Sequence, residues 1–182
     1  MVKTFFVLAS GQSLNSADVE KVQTLHSEGL CGVVAVSNVA LDLAPWADAL
    51  VSNDAAWWNT YLKHADFKGQ KFSGQTVGYA KRIKPPVSSC NSGLLALHVA
   101  HMVLGAETVY LLGLDMWGTH YFGKHLELKN PGEKQFNVHV RQFSAWSKQH
   151  KCEVVNLNPN SRLRNYPFDN LDNVVKLLRE KP

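Results

Sequence analysis

Cysteine is scarce in this chain of 182 residues: it has three, Cys31, Cys90 and Cys152, with no CxxC and no metal-ligand spacing among them. An odd, dispersed set excludes a disulfide framework and a thiolate zinc site, and fits a reducing, cytoplasmic setting. Long apolar runs are missing too. No stretch approaches the roughly 20 apolar residues of a membrane-spanning helix, so no membrane partner is expected. There is no massed run of either charge: Lys63, Lys68, Lys71, Lys81, Arg82, Lys84, Arg162 and Arg164 are scattered, and 19 Lys and Arg against 15 Asp and Glu leave a net charge of +4. That mild excess suits an anionic ligand such as a nucleotide and falls short of a dedicated nucleic-acid binder, so nucleic acid is expected at most as an acceptor. Internal repeats and low-complexity tracts are also absent. With 45% hydrophobic residues, residues 1–182 suit one α/β domain with a sizeable core.

What the chain does have is a recurring order of apolar run, small polar turn and amphipathic segment. The opening Met-Val-Lys-Thr-Phe-Phe-Val-Leu-Ala imitates a secretory leader, but the run is short, and Phe5 to Ala9 reads as a strand covered on both faces. Ser10-Gly11-Gln12-Ser13 is turn chemistry, and Asn15 or Ser16 caps a helix that places Val19, Val22 and Leu25 on one side before Gly29. Residues 32–36 form a second strand. Strands are further expected at 49–52, 108–112 and 153–156, and helices at 55–64, 94–104, 133–150 and 169–179. Residues 65–90, with Gly69, Gly74, Gly78, Pro85 and Pro86, read as a loop or small hairpin. Alternating strands and helices predict a Rossmann-like, mostly parallel sheet with helices on both faces.

In such folds ligand contacts gather beyond the carboxyl ends of strands. Ser10 to Ser13 can cradle a phosphate at the next helix, or be a plain turn. Asn38 and Asp54 each follow a strand, where they contact ligand or cap a turn. Asn91-Ser92-Gly93 opens the apolar helix: Asn91 offers donor and acceptor, Ser92 a hydroxyl, Gly93 close backbone approach, with a bare N-cap as the alternative. Asp115, His120 and His125 form a chemical cluster, able to hold a divalent cation such as Mg²⁺ on a nucleotide, or to divide into a base and an orienting partner. Arg162 is a candidate phosphate clamp. His98 and His101 read as packed histidines. Trp57 and Trp58 read as core, pocket wall or a homo-oligomer contact.

Ser-Gly-Gln-Ser-Leu (10–14), Asn38, Asp54, Asn-Ser-Gly (91–93) and Leu-Leu-Gly-Leu-Asp (111–115), in that order, resemble one superfamily. It includes bacterial CMP-sialic-acid-dependent sialyltransferases, flagellin-modifying motility-associated factors and archaeal 6-hydroxymethylpterin pyrophosphokinases. Ala-Pro-Trp-Ala-Asp (44–48) and Trp-Trp (57–58) bring the chain nearest to small stand-alone bacteriophage-encoded members. Ala9 stands where the family has Gly, and Gln12 where it has Pro. The resemblance implies a nucleotide-dependent, glycosyltransferase-like enzyme with a nucleotide-activated donor. By the same resemblance Ser10, Gly11, Gln12, Ser13, Asn38, Asp54, Asn91, Ser92 and Gly93 hold the nucleotide, His120 or His125 is the base, and Tyr121 assists the departing phosphate. Mg²⁺-dependent pyrophosphoryl transfer from ATP and a non-catalytic nucleotide-binding or protein-interaction module are the rival readings.

Overall fold

The computed structural model describes residues 2–180. Its central strands are apolar at successive positions, as expected where both faces are covered. In β1 (Thr4–Leu8) Phe5 and Val7 join one core cluster, and Phe6 and Leu8 the other. The remaining strands are β2 (Gly32–Val36), β3 (Ala49–Val51), β4 (Gln70–Ser73), β5 (Lys81–Arg82), β6 (Thr108–Leu112) and β7 (Glu153–Asn156). They pair in the order β5-β4-β3-β2-β1-β6-β7, every neighbour parallel.

Helices α4 (Ser92–Met102) and α5 (Glu133–Gln149) cover one face. On the other lie α1 (Ser16–Ser27), α2 (Asn38–Asp42), α3 (Ala55–Thr60) and α6 (Leu171–Glu180). The Rossmann-like arrangement expected from the sequence is therefore present. In α4 the residues from Gly93 to Leu97, Val99 and Ala100 are all buried, which is why its sequence is apolar nearly all round. No helix among the described residues is long and apolar enough to cross a membrane.

Residues 65–90 are not a hairpin. β4 and β5 run parallel, with Phe72 registered on Lys81 and Ser73 on Arg82, and Phe72 is 1% exposed beside Val51. Four- and two-residue strands are too short to show a hydrophobic period in the sequence. The helix expected over 55–64 is divided, because Tyr61 (φ −98°, ψ 73°) leaves the helical region and a 3₁₀ turn follows at Leu62–Asp66.

The topology positions the site. From β1 the chain winds outward through β2 to β5, then returns over the sheet by α4 to place β6 on the other flank of β1. The crossovers diverge between β1 and β6, and a crevice opens at that switch point.

Leu97, fully buried in α4, tests the importance of this sandwiched helix. Leu97→Ala is expected to cost about 2–5 kcal/mol, read as a lower urea midpoint with an unchanged slope.

Candidate functional site

Beyond the sheet edge, the loops after β1 and β6 go on pairing: Ala9 N–H donates to Leu112 O (2.9 Å) and Gly11 N–H to Gly113 O (2.8 Å). Only glycine fits at 11, since a Cβ would overlap Gly113 O and lie 2.7 Å from Asp115 Oδ2. Asp115 is 2% exposed. Its Oδ2 accepts Ser13 N–H (2.8 Å), and its Oδ1 accepts the Ser13 hydroxyl and Asn158 Nδ2–H (2.7 Å). Its backbone carbonyl accepts Arg162 N–H (3.0 Å). One carboxylate thus ties together the loops after β1, β6 and β7.

The loop after Met116 folds back onto this frame. Tyr121 N–H donates to Ser10 O (2.9 Å), and His120 and Gly123 exchange backbone hydrogen bonds (3.1 and 2.9 Å). His120 Nδ1 lies 2.9 Å from Ser10 Oγ, and its ring stacks on Phe122 at 4.9 Å. His125 Nδ1 lies 2.8 Å from the Tyr61 hydroxyl, while Asn130 grips the His125 backbone N–H (2.8 Å) and C=O (2.9 Å). The two imidazoles meet edge to face, centroids 4.6 Å apart. The side-chain hydrogen bonds of both rings are made through Nδ1, and neither Nε2 is fully buried. Burial, followed by the neighbouring His125, pushes His120 down to about 4, against the opposing effect of the Ser10 backbone. Burial also lowers His125, with Asp54 opposing. Both rings are neutral near pH 7.

These groups border a cavity of about 330 Å³ at the switch point, in the range of small-molecule sites. The opposite wall comes from Asp54, which caps α3 through Ala56 N–H (2.9 Å), and from Asn91, which caps α4 through Leu94 N–H (2.8 Å). Ser92 Oγ accepts Asn53 N–H (2.9 Å), fixing the end of β3 to the start of α4. Gly93 is small for a packing reason, because a Cβ there would overlap Leu114 Cδ2. Among the described residues, the three non-glycine residues with positive φ are Ser37 (49°), Ser89 (57°) and Met116 (59°). All three line this cavity. Backbone strain collected around one hollow is a mark of a functional site.

Of the residues singled out from the sequence, Ser10, Gly11, Asp54, Asn91, Ser92, Gly93, Asp115, His120 and His125 line the cavity. Gln12, Ser13, Asn38 and Tyr121 do not. Gln12 packs over Gly118, Ser13 is held by Asp115, Asn38 Oδ1 accepts Trp57 Nε1–H (2.8 Å), and the Tyr121 hydroxyl donates to Asp42 (3.0 Å). Arg162 pairs with Glu133 rather than facing the hollow. His98 Nδ1 accepts Trp146 Nε1–H (3.2 Å) and His101 bonds Ala106 O (2.8 Å), a packed cluster. Tyr61, expected from the sequence to pack inward or line a pocket rim, meets His125; Asn130 and Lys129 carry no local signal that marks them. Their partners and neighbours are remote in sequence or set by the turn.

The residues present do not fit a divalent cation. Asp54 and Asp115 are engaged by N–H and O–H donors, and no group of three or more His, Cys, Asp or Glu among the described residues is placed to hold a metal ion.

No protein-family model matches the sequence, and no curated protein matches it. Among solved structures the fold is similar to that of the sialyltransferase CstII from Campylobacter jejuni, solved with a substrate analogue, CMP-3FNeuAc. The TM-score is 0.58 at 15% identity, covering 93% of this chain and 88% of that chain. The likeness establishes a shared fold.

Two outcomes follow from the geometry. Asp115→Ala leaves Ser13 and Asn158 donors unpaired, and is expected to cost about 2–4 kcal/mol in denaturant unfolding. The second concerns acid. In the fold His120 stays neutral down to about 4, whereas unfolded it takes a proton near 6.5. The unfolded chain then binds more protons between those values, so stability falls as pH drops through that window. His98, pushed to about 4 first by burial, adds in the same direction. Urea midpoints measured from about pH 7 to about pH 4 should decline less steeply in His120→Asn than in the parent.

Proposed function

We propose that this chain is a nucleotide-dependent transferase of the glycosyltransferase type, binding a nucleotide-activated donor in the switch-point cavity. The observation that carries the reading is the pair of imidazoles lining that cavity, each oriented through Nδ1 by a hydroxyl, which leaves Nε2 for a substrate. The fold shared with a sialyltransferase supports it.

In this reading Ser10 and Gly11 and the start of α4 (Asn91, Ser92, Gly93) hold the nucleotide, with Asp54 on the adjoining wall. Ser10 Oγ accepts Nδ1–H of His120, leaving a lone pair on Nε2 to take the proton of the acceptor hydroxyl. As that oxygen bonds to the activated carbon, the carbon–oxygen bond to phosphate breaks and its electron pair leaves with the nucleotide. The Tyr61 phenol donates to His125 Nδ1, which makes His125 Nε2–H a fixed donor toward the departing phosphate. Lys129, the one Lys or Arg among the described residues lining the cavity, balances the charge that develops there. Asp115 is a positioning residue that holds the Ser10–Ser13 loop under His120.

The reading is tested by following melting temperature and product formation with a panel of nucleotides and nucleotide sugars, with and without EDTA. A CMP- or UDP-linked donor is expected to raise the melting temperature and to turn over without added metal. His120→Ala should then lose about 10²–10⁴-fold in turnover while the melting shift persists. Stabilisation without turnover in every pairing would instead assign a binding module, and EDTA-sensitive AMP release from ATP a pyrophosphoryl transferase.

A further inference from the structure

The scattered cations of the sequence are gathered by the fold. Six of the 19 Lys and Arg, and one of the 15 Asp and Glu, lie between residues 63 and 84; that segment carries +5, and the rest of the chain, with 13 cations and 14 carboxylates, carries −1. The positive excess of the molecule is therefore a property of one region. It is the outer edge of the sheet: Lys63 on the 3₁₀ turn, Lys68 before β4, Lys71 in β4, Lys81 and Arg82 forming the edge strand β5, and Lys84 just beyond it. All but Lys71 are exposed. None of the six is in an ion pair among the described residues. Uncompensated like charges at this density repel one another and cost stability.

Edge strands carry lysine to block pairing with another sheet, which accounts for Lys81 and Arg82 but not for the four cations outside β5. The edge also displays Tyr79, 51% exposed, its ring resting on His64 at 4.7 Å. It leads into the cavity wall. After Lys84, Pro85 lies beside Gly74 and Asn53, and Asn53, Ser89 and Cys90 line the hollow.

We infer that this edge docks a single strand of nucleic acid, whose phosphates follow the six cations toward the cavity mouth while a base stacks on Tyr79. The arrangement favours a flexible strand over a membrane. Lys81 registers on Phe72, whose side chain belongs to the α4 side, whereas Arg82 registers on Ser73 and Lys71 on Leu50, on the opposite side. A flexible strand can wrap charges directed to both sides of an edge, Tyr79 supplies the exposed ring that a base would stack on, and phosphate contacts with aromatic stacking are how single strands are held without sequence preference. This inference stands apart from the transferase reading and does not need it.

The test is fluorescence anisotropy of a labelled oligothymidylate with the full chain across a salt series. Contact with all six cations gives a log K against log salt slope of about −4, and Lys81→Gln/Arg82→Gln/Lys84→Gln should reduce its magnitude by about 2. Tyr79→Ala should weaken binding roughly 5- to 100-fold with the slope unchanged. Lys148→Gln/Lys151→Gln, on and just after α5, is the control and should match the parent; circular dichroism melts check that each variant is folded. The inference is overturned if the triple variant keeps the parental slope, if the control loses as much, or if duplex DNA or phosphatidylserine vesicles bind more tightly than the single strand. None of these outcomes depends on nucleotide-sugar turnover.

Discussion

The candidate site depends on one buried carboxylate. Asp115 sits at the carboxyl end of β6 with its oxygens filled by Ser13 N–H, the Ser13 hydroxyl and Asn158 Nδ2–H. A buried charge is tolerable only with such donors, and charge-assisted bonds are the strong ones. The consequence is geometric. Fixing Ser13 fixes the short loop that begins at Ser10, and Ser10 in turn holds the backbone of Tyr121 and the ring of His120. Remove the carboxylate and the loops after β1, β6 and β7 lose their common anchor, although each strand is still paired in the sheet.

The same burial that prepares the imidazoles makes them a liability in acid. A histidine kept neutral by desolvation is ready to accept a proton from a substrate, and for the same reason the fold opposes its protonation by solvent. His120, Phe122 and His125 form one ring cluster, with centroids 4.6 to 4.9 Å apart, and burial there, followed by the neighbouring His125, lowers the proton affinity of His120. Ser10 and Tyr61 each hold the Nδ1 side of one ring. Neither hydroxyl changes the chemistry available to imidazole; each restricts its tautomer and direction.

How much of this was legible in the sequence follows from the range of each interaction. Continuous apolar strands, the all-round apolar α4 and caps at Asn15, Asp54 and Asn91 are local, and the sequence displays them. The switch-point crevice followed from strand–helix alternation. Contacts between distant residues did not: the Tyr61–His125 pair spans 64 positions and the Ser10–His120 pair 110. Side-chain direction was equally hidden. Asn38 and Tyr121 stand at strand-end and loop positions suited to a ligand, yet turn to Trp57 and Asp42. Gly93 illustrates the limit differently, since its smallness accommodates Leu114 and close approach of a ligand is not required to explain it.

Charge was the feature most altered by folding. Taken over the whole chain, +4 reads as mild attraction for a small anion. Yet the cavity itself is bordered by a single lysine, by the carboxylates of Asp54 and Asp115, whose oxygens are engaged by protein donors, and by three histidines together with the starts of α3 and α4. Any anion there meets polar groups of fixed direction, which recognise shape and hydrogen-bond pattern and respond weakly to salt. The outer edge does the opposite: its flexible lysines supply long-range, salt-sensitive attraction with little geometric selectivity. A small anion requires the first kind of site and a polyanion the second. The two kinds of surface are separated on one sheet and joined through the Pro85 to Cys90 segment.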